Sequence, residues 1–146
     1  MSSRSNSLKR VILISCSSKK LKHKSKAEDL YVSTLFKLSL AYAKKLQPHK
    51  IFILSAKYGL LELGRRIEPY NQTLNKMPAK EIRKWAEKVI KSLSQKADPS
   101  RDEFIFLAGE KYRKYLIGHI VHCKVPLLGL GIGNQLKYLK SEINDE

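Results

Sequence analysis

The sequence predicts an α/β fold, a three-layer sandwich in which helices cover both faces of a mainly parallel four-stranded sheet. Four short, continuous apolar runs carry that expectation: Val11-Ile-Leu-Ile14, Ile51-Phe-Ile-Leu54, Phe104-Ile-Phe-Leu107 and Val125-Pro-Leu-Leu128. Runs of this length and composition are what strands buried on both faces look like. The stretches between them place apolar residues at helical spacing, and strands alternating with helices close into a parallel sheet. At 146 residues and 42% hydrophobic content the chain suits one core. A domain of this size buries about two thirds of the surface its unfolded chain exposes. The expected organisation is a disordered tail over 1–8 followed by a single α/β domain over 9–146.

The first run stops at Ser15-Cys-Ser-Ser18, and five lysines follow within the eight residues 19–26, which reads as an exposed basic loop. Leu35, Leu38, Tyr42 and Leu46 form the stripe of a helix over 27–47, and Pro48 supplies its stop. The second run ends in Ser55-Ala-Lys-Tyr-Gly59. Over 60–77 the breakers Gly64, Pro69, Asn71 and Asn75 predict a long loop with one turn of helix, and loops of that length in compact domains tend to carry function.

Pro78 then opens a strongly amphipathic helix to Gln95, with Trp85 on its apolar stripe and so in the core. The third run ends in Ala108-Gly109. A helix over 110–121 turns Tyr112, Tyr115, Leu116 and Ile120 inward, and the fourth run leads through Gly129-Leu-Gly-Ile-Gly133 into a last helix over 134–143.

Charge narrows the partner. The chain carries 29 Lys and Arg against 13 Asp and Glu, a net charge of +16, which points to a polyanion. Enrichment of lysine in the genome would also raise it. The two cysteines, Cys16 and Cys123, form no Cys-x-x-Cys pair and fit a reduced compartment. His119-x-x-His122 beside Cys123 lacks a completing ligand, so neither metal nor cofactor is expected. No apolar run reaches the roughly 20 residues of a membrane span, and the opening residues lack the apolar middle of a secretory signal. The expectation is a soluble, cytoplasmic protein without a membrane partner, its oligomeric state open.

Ligands of open parallel sheets gather outside the carboxyl ends of the strands, and those ends deliver the candidate site residues. Cys16, Asp29 and Lys57 are the catalytic candidates: a cysteine among lysines is a candidate nucleophile, and a carboxylate is a candidate general base. Cys16 has two further readings, as a residue lining the substrate pocket and as a buried filler. Substrate contacts are expected from Ser15, Ser17, Ser55, Tyr58, Tyr70, Asn71, Gly131 and Gln135, where hydroxyls, an amide and an aromatic ring suit a base edge and face. Lys19, Lys20, Lys22 and Lys24 are the phosphate-binding candidates.

Five segments together carry a resemblance: Ile14-Ser-Cys-Ser-Ser-Lys-Lys20, Ala27-x-Asp29-Leu30-Tyr31, Leu54-Ser-Ala-Lys-Tyr-Gly-Leu60, Pro69-Tyr-Asn-x-Thr-Leu74 and Pro126-Leu-x-Gly-Leu-Gly-Ile-Gly-x-Gln135. They resemble a small, largely uncharacterised prokaryotic and phage domain family, similar to the YaaA-type peroxide-stress proteins and more distantly to the archaeosine synthase core. The resemblance implies a uracil-DNA-glycosylase-like sandwich, DNA binding in the first branch, and chemistry on a deazaguanine base of tRNA in the second. Cys16-Ser17 and the lysines after it resemble the Cys-Ser and lysine of the archaeosine motif, with Ser15 standing where that motif has proline.

The functional expectation is therefore a nucleic-acid-acting enzyme that cleaves or modifies a base in DNA or tRNA. Two alternatives stand beside it: a non-catalytic DNA- or RNA-binding protein, and an enzyme on free nucleotides or modified bases.

Overall fold

The computed structural model describes residues 9–145, so the tail expected over 1–8 lies outside the described residues. In chain order the elements are β1 (Arg10–Ser15), β2 (Ser25–Lys26), α1 (Ala27–Leu30), α2 (Thr34–Lys45), β3 (Lys50–Ser55), β4 (Gly59–Glu62) and β5 (Arg66–Ile67). A 3-10 turn at Leu74–Lys76 follows, then α3 (Ala79–Ser94), β6 (Glu103–Leu107), α4 (Glu110–Ile117), β7 (His122–Lys124) and α5 (Ile132–Asn144).

Four consecutive large apolar residues can be satisfied only where both faces of a strand are covered, and β1 accordingly occupies the centre of the sheet. It pairs in parallel with β3 through Val11↔Lys50 to Ser15↔Leu54 and with β6 through Arg10↔Glu103 to Ile14↔Leu107. Val11, Ile12, Leu13 and Ile14 are at most 1% exposed. The full order is β4-β3-β1-β6-β7, five strands with only β4 antiparallel.

The chain leaves β1 in one direction, to β3, and then crosses back past β1 to β6. Because such crossovers are right-handed, the two connections put their helices on opposite faces. The packing agrees: α2 lies against α5, and α3 against α4. At the amino edge, Glu103 accepts from Arg10 Nε at 3.1 Å and from Lys124 Nζ at 3.2 Å, tying β1, β6 and β7 together.

Five strands replace the four expected, and the differences have local causes. β4 was hidden because it is an edge strand with no alternating pattern, formed by folding the chain back over the three-residue turn Ala56-Lys57-Tyr58. Gly59, with φ +73°, closes that turn in the left-handed region, the usual geometry of a three-residue hairpin.

The fourth parallel strand is His122–Lys124, not Val125-Pro-Leu-Leu128. As an edge strand it needs one covered face and can alternate exposed His122 and Lys124 with half-buried Cys123. Pro126 cannot donate to a ladder, and its segment runs on beyond the sheet.

The helix expected over 27–47 is broken at Tyr31–Ser33. Tyr31 bridges back to Lys20, and Ser33 caps α2 by accepting from Phe36 N at 3.1 Å. The basic segment is likewise more than an exposed loop. Ser25–Lys26 pairs with Arg66–Ile67, Leu21 N donates to Leu30 O at 2.9 Å, and Lys20 is half-buried. The helix over 110–121 stops at Ile117, with Gly118 at its end, leaving Tyr115 only half-buried, and the last helix starts two residues early, at Ile132.

Leu13 lies fully buried at the centre of this core, so Leu13→Ala should lower the unfolding free energy by about 2–5 kcal/mol, as large-to-small core changes do. A denaturant titration that found less than about 1 kcal/mol would place β1 outside the core.

Candidate functional site

Between β1 and β6 the connections run to opposite faces, which makes the gap beyond their carboxyl ends the topological switch point where open α/β sheets bind ligands. A cavity of about 230 Å³ lies there. Ser15, Cys16 and Ser17 form one wall, Leu107, Ala108 and Gly109 a second, and Phe36 and Ser39 of α2 a third. Glu110 and Arg113 of α4 and residues 127–130 with Gln135 complete it. Cys16 is held in position by its own backbone, whose N–H donates to Leu54 O at 3.0 Å and extends the β1–β3 ladder by one residue.

Behind this wall sits a buried polar cluster. The Cys16 thiol lies 3.5 Å from the Tyr112 hydroxyl, which also accepts from Leu74 N at 3.3 Å. Burial, and then the neighbouring Cys16 sulfur, push the Tyr112 hydroxyl up to about 12.

The Ser55 hydroxyl accepts from Lys57 N at 3.2 Å and Tyr58 N at 2.9 Å. Both its lone pairs being used, its proton goes to the Tyr70 hydroxyl, 2.7 Å away, and Tyr70 in turn lies 2.6 Å from the Tyr31 hydroxyl. Trp85 Nε1 donates to Ser55 O at 2.8 Å, so the core tryptophan spends its one donor on the end of β3. Burial raises the hydroxyls of Tyr31 and Tyr70 well above the ordinary tyrosine range.

On the other side of the loop after β1 is a second, more open cleft of about 360 Å³, lined by Ser18, Lys20, Leu21, Lys22, Pro69, Tyr70 and Asn71. The Lys20 ammonium sits 4.4 Å from the centre of the Tyr70 ring, a cation–π geometry. Burial lowers the Lys20 pKa, and the Cys16 sulfur partly opposes the shift.

The structure thus divides the candidates drawn from the sequence. Ser15, Cys16, Ser17 and Gln135 line the first cavity, while Lys20, Lys22, Tyr70 and Asn71 line the second. Ser55 is fully buried, with its hydroxyl committed to the turn and to Tyr70. Tyr58 lines neither cavity; its ring centre is 5.6 Å from that of Tyr70, with Lys57 Nζ 5.3 Å and the Arg65 guanidinium 5.4 Å away. Asp29, Lys57, Lys19, Lys24 and Gly131 are exposed and line neither cavity; Gly131 caps the start of α5. Of the three catalytic candidates, then, Cys16 alone lines either of these two cavities.

A family of unknown function, DUF6884, matches residues 11–141. The chain belongs to that family. No curated protein and no solved structure matches it. The region shared with DUF6884 contains every residue named in both cavities and all of β3, β4, β6 and β7. Among the described residues no helix is long and apolar enough to cross a membrane.

Sequence reasoning missed Arg113, Glu110, Phe36 and Ser39. Arg113 sits in the first turns of a helix that starts right after a strand end, and its Nη1 donates to Ala108 O at 2.9 Å, which aims the guanidinium at the cavity wall. Ser39 was readable as a serine on the same helical stripe as Phe36 and Ala43, all three buried.

The raised Tyr112 pKa fixes a pH dependence. The fold favours the neutral phenol, so this contribution is complete below about pH 10, the ordinary tyrosine value, and is lost as pH rises through about 12. Tyr112→Phe should cost about 1 kcal/mol at neutral pH through its lost hydrogen bonds and should flatten the alkaline fall in stability. Denaturant midpoints measured at neutral pH and at about pH 11 check this, and an unchanged alkaline slope would remove Tyr112 from the account.

Proposed function

We propose that the chain acts on nucleic acid, taking a single base into the cavity at the β1–β6 switch point while lysines of the loop after β1 hold the phosphate backbone. The observation that carries this reading is the pairing of a small cavity with a more open cleft lined by Lys20, Lys22 and Tyr70, both bordered by the loop after β1. At about 230 Å³ the cavity falls below the roughly 300–1,000 Å³ of drug-sized sites, which suits one ring system. Phe36 and the apolar strand ends offer ring faces a wall, and Ser15, Ser17 and Gln135 offer a base edge its partners.

The second cleft presents Lys20 and Lys22 with Tyr70 and Asn71, the combination that single-stranded nucleic-acid sites use: charge along the backbone and a ring for stacking. Arg113 supplies a further cation at the cavity itself. Cleavage or modification of the base is the reaction class proposed, with Cys16 as the reactive group, since it alone of the catalytic candidates lines the cavity. The uracil-DNA-glycosylase-like character of the sandwich belongs to the same proposal, and so does a cytoplasmic location, where such a substrate is met. The motifs around Cys16 and Tyr70 that resemble the YaaA-type and archaeosine proteins support it.

Fluorescence anisotropy with a labelled single-stranded oligonucleotide tests the binding half. Four lysine–phosphate contacts predict a slope of log affinity against log salt of about −3, and reversing exposed Lys19, Lys22 and Lys24 to Glu should lower affinity at least tenfold. Affinity independent of salt would favour an enzyme of free nucleotides. Cys16→Ala should keep oligonucleotide affinity within about twofold and abolish release or alteration of the base; product formed at the wild-type rate would leave a binding protein without catalysis at this cysteine.

A further inference from the structure

We infer that Ser39 is the hydrogen-bonding floor of the first cavity and that the group it receives is the polar edge of a planar nitrogen heterocycle, a nucleobase. The inference rests on the nucleic-acid reading above and names the residue that recognises the base.

Ser39 is only 2% exposed and lines the cavity from α2. Among the described residues its hydroxyl has no hydrogen-bond partner, not even the carbonyl of Leu35 one turn back, where a mid-helix serine usually turns. Ser33, by contrast, spends its hydroxyl capping the helix at Phe36 N. A buried hydroxyl without a partner is uncommon and calls for a physical explanation, because it gives up water without compensation.

Its position on the helix is equally unfavourable for folding: Phe36, Ser39 and Ala43 lie on one buried stripe, where an alanine would serve the core better. A hydroxyl kept at such a place is accounted for by a ligand that completes it.

The surroundings specify the ligand's shape. Phe36, Ile14 and Leu107 give apolar walls, which suit the faces of a ring. The amide of Gln135 is oriented by donating from Nε2 to Leu130 O at 2.8 Å, which leaves its Oε1 free as a second edge partner. Charged Arg113 and Glu110 sit on a different wall, that of α4, where they meet whatever the ring carries. A site built to satisfy a polar group discriminates strongly against analogues lacking it.

Calorimetric titration of the full chain with the nucleoside 5′-monophosphates, and with ribose 5-phosphate as the baseless control, tests this. Wild type should bind at least one nucleotide better than ribose 5-phosphate. Ser39→Ala should weaken that nucleotide at least tenfold, leave ribose 5-phosphate unchanged, and show a Tm equal to or above wild type. Equal nucleotide affinity in Ser39→Ala would overturn the inference alone, leaving a hydroxyl that merely holds water. A Tm several degrees lower in the variant would also overturn it, by making the hydroxyl structural. If wild type bound no nucleotide better than ribose 5-phosphate, the base-cavity reading itself would fall with it.

Discussion

Parallel pairing of β1 on both of its edges is the constraint from which the site's geometry follows, because a strand clamped between β3 and β6 has no freedom of register. A slip of one residue would exchange the two faces of Val11-Ile-Leu-Ile14, break their packing against the layers on either side and draw Arg10 or Ser15 into the core. The register therefore decides that Ser15 is the last residue of the strand and that Cys16 is the first beyond it, still tied to Leu54 O. The crossovers on either side of β1 run to opposite faces, and the gap they leave becomes the cavity.

A second layer stiffens that edge. Ser55, Tyr70, Tyr31 and Trp85 link the end of β3 to the excursion over 66–74 and to α3 through hydrogen bonds made away from water, where unmatched groups would be costly. Tyr112 does the same between α4, Leu74 and Cys16. Residues that at first sight offer a base their hydroxyls thus spend them on the frame. Tyr70 has two uses at once: its hydroxyl is bound inside, and its ring lies beneath Lys20 in the open cleft.

The charge is distributed to match. Lys19, Lys22 and Lys24 are exposed in the loop after β1, and Lys22 lines the second cleft, whereas the first cavity holds one arginine and one glutamate, both on α4. A net charge of +16 raises the local concentration of any polyanion and steers it to the surface, but such a field is blind to the base. On the proposed reading, discrimination comes from the short-range partners in the small cavity. On that reading the two openings divide the work, phosphates going to the more open cleft and a ring to the narrower cavity.

The apolar runs by themselves determined β1, β3 and β6, the parallel sheet and the edge where the first cavity lies, because a strand buried on both faces must be continuously apolar. The same pattern is silent about edge strands, so β4 and β7 escaped it, and Val125-Pro-Leu-Leu128 was read as a strand when it walls the cavity. The strand-end residues Ser15, Cys16 and Ser17 were legible for the same reason as their strand. Arg113 and Ser39 were not, since a helix face meets the cavity only after the crossover angles and registers are set. Tertiary structure alone decided that Cys16 faces a cavity while Asp29 and Lys57 stay in solvent: burial and mutual distance are properties of the packed chain, and residue type does not encode them.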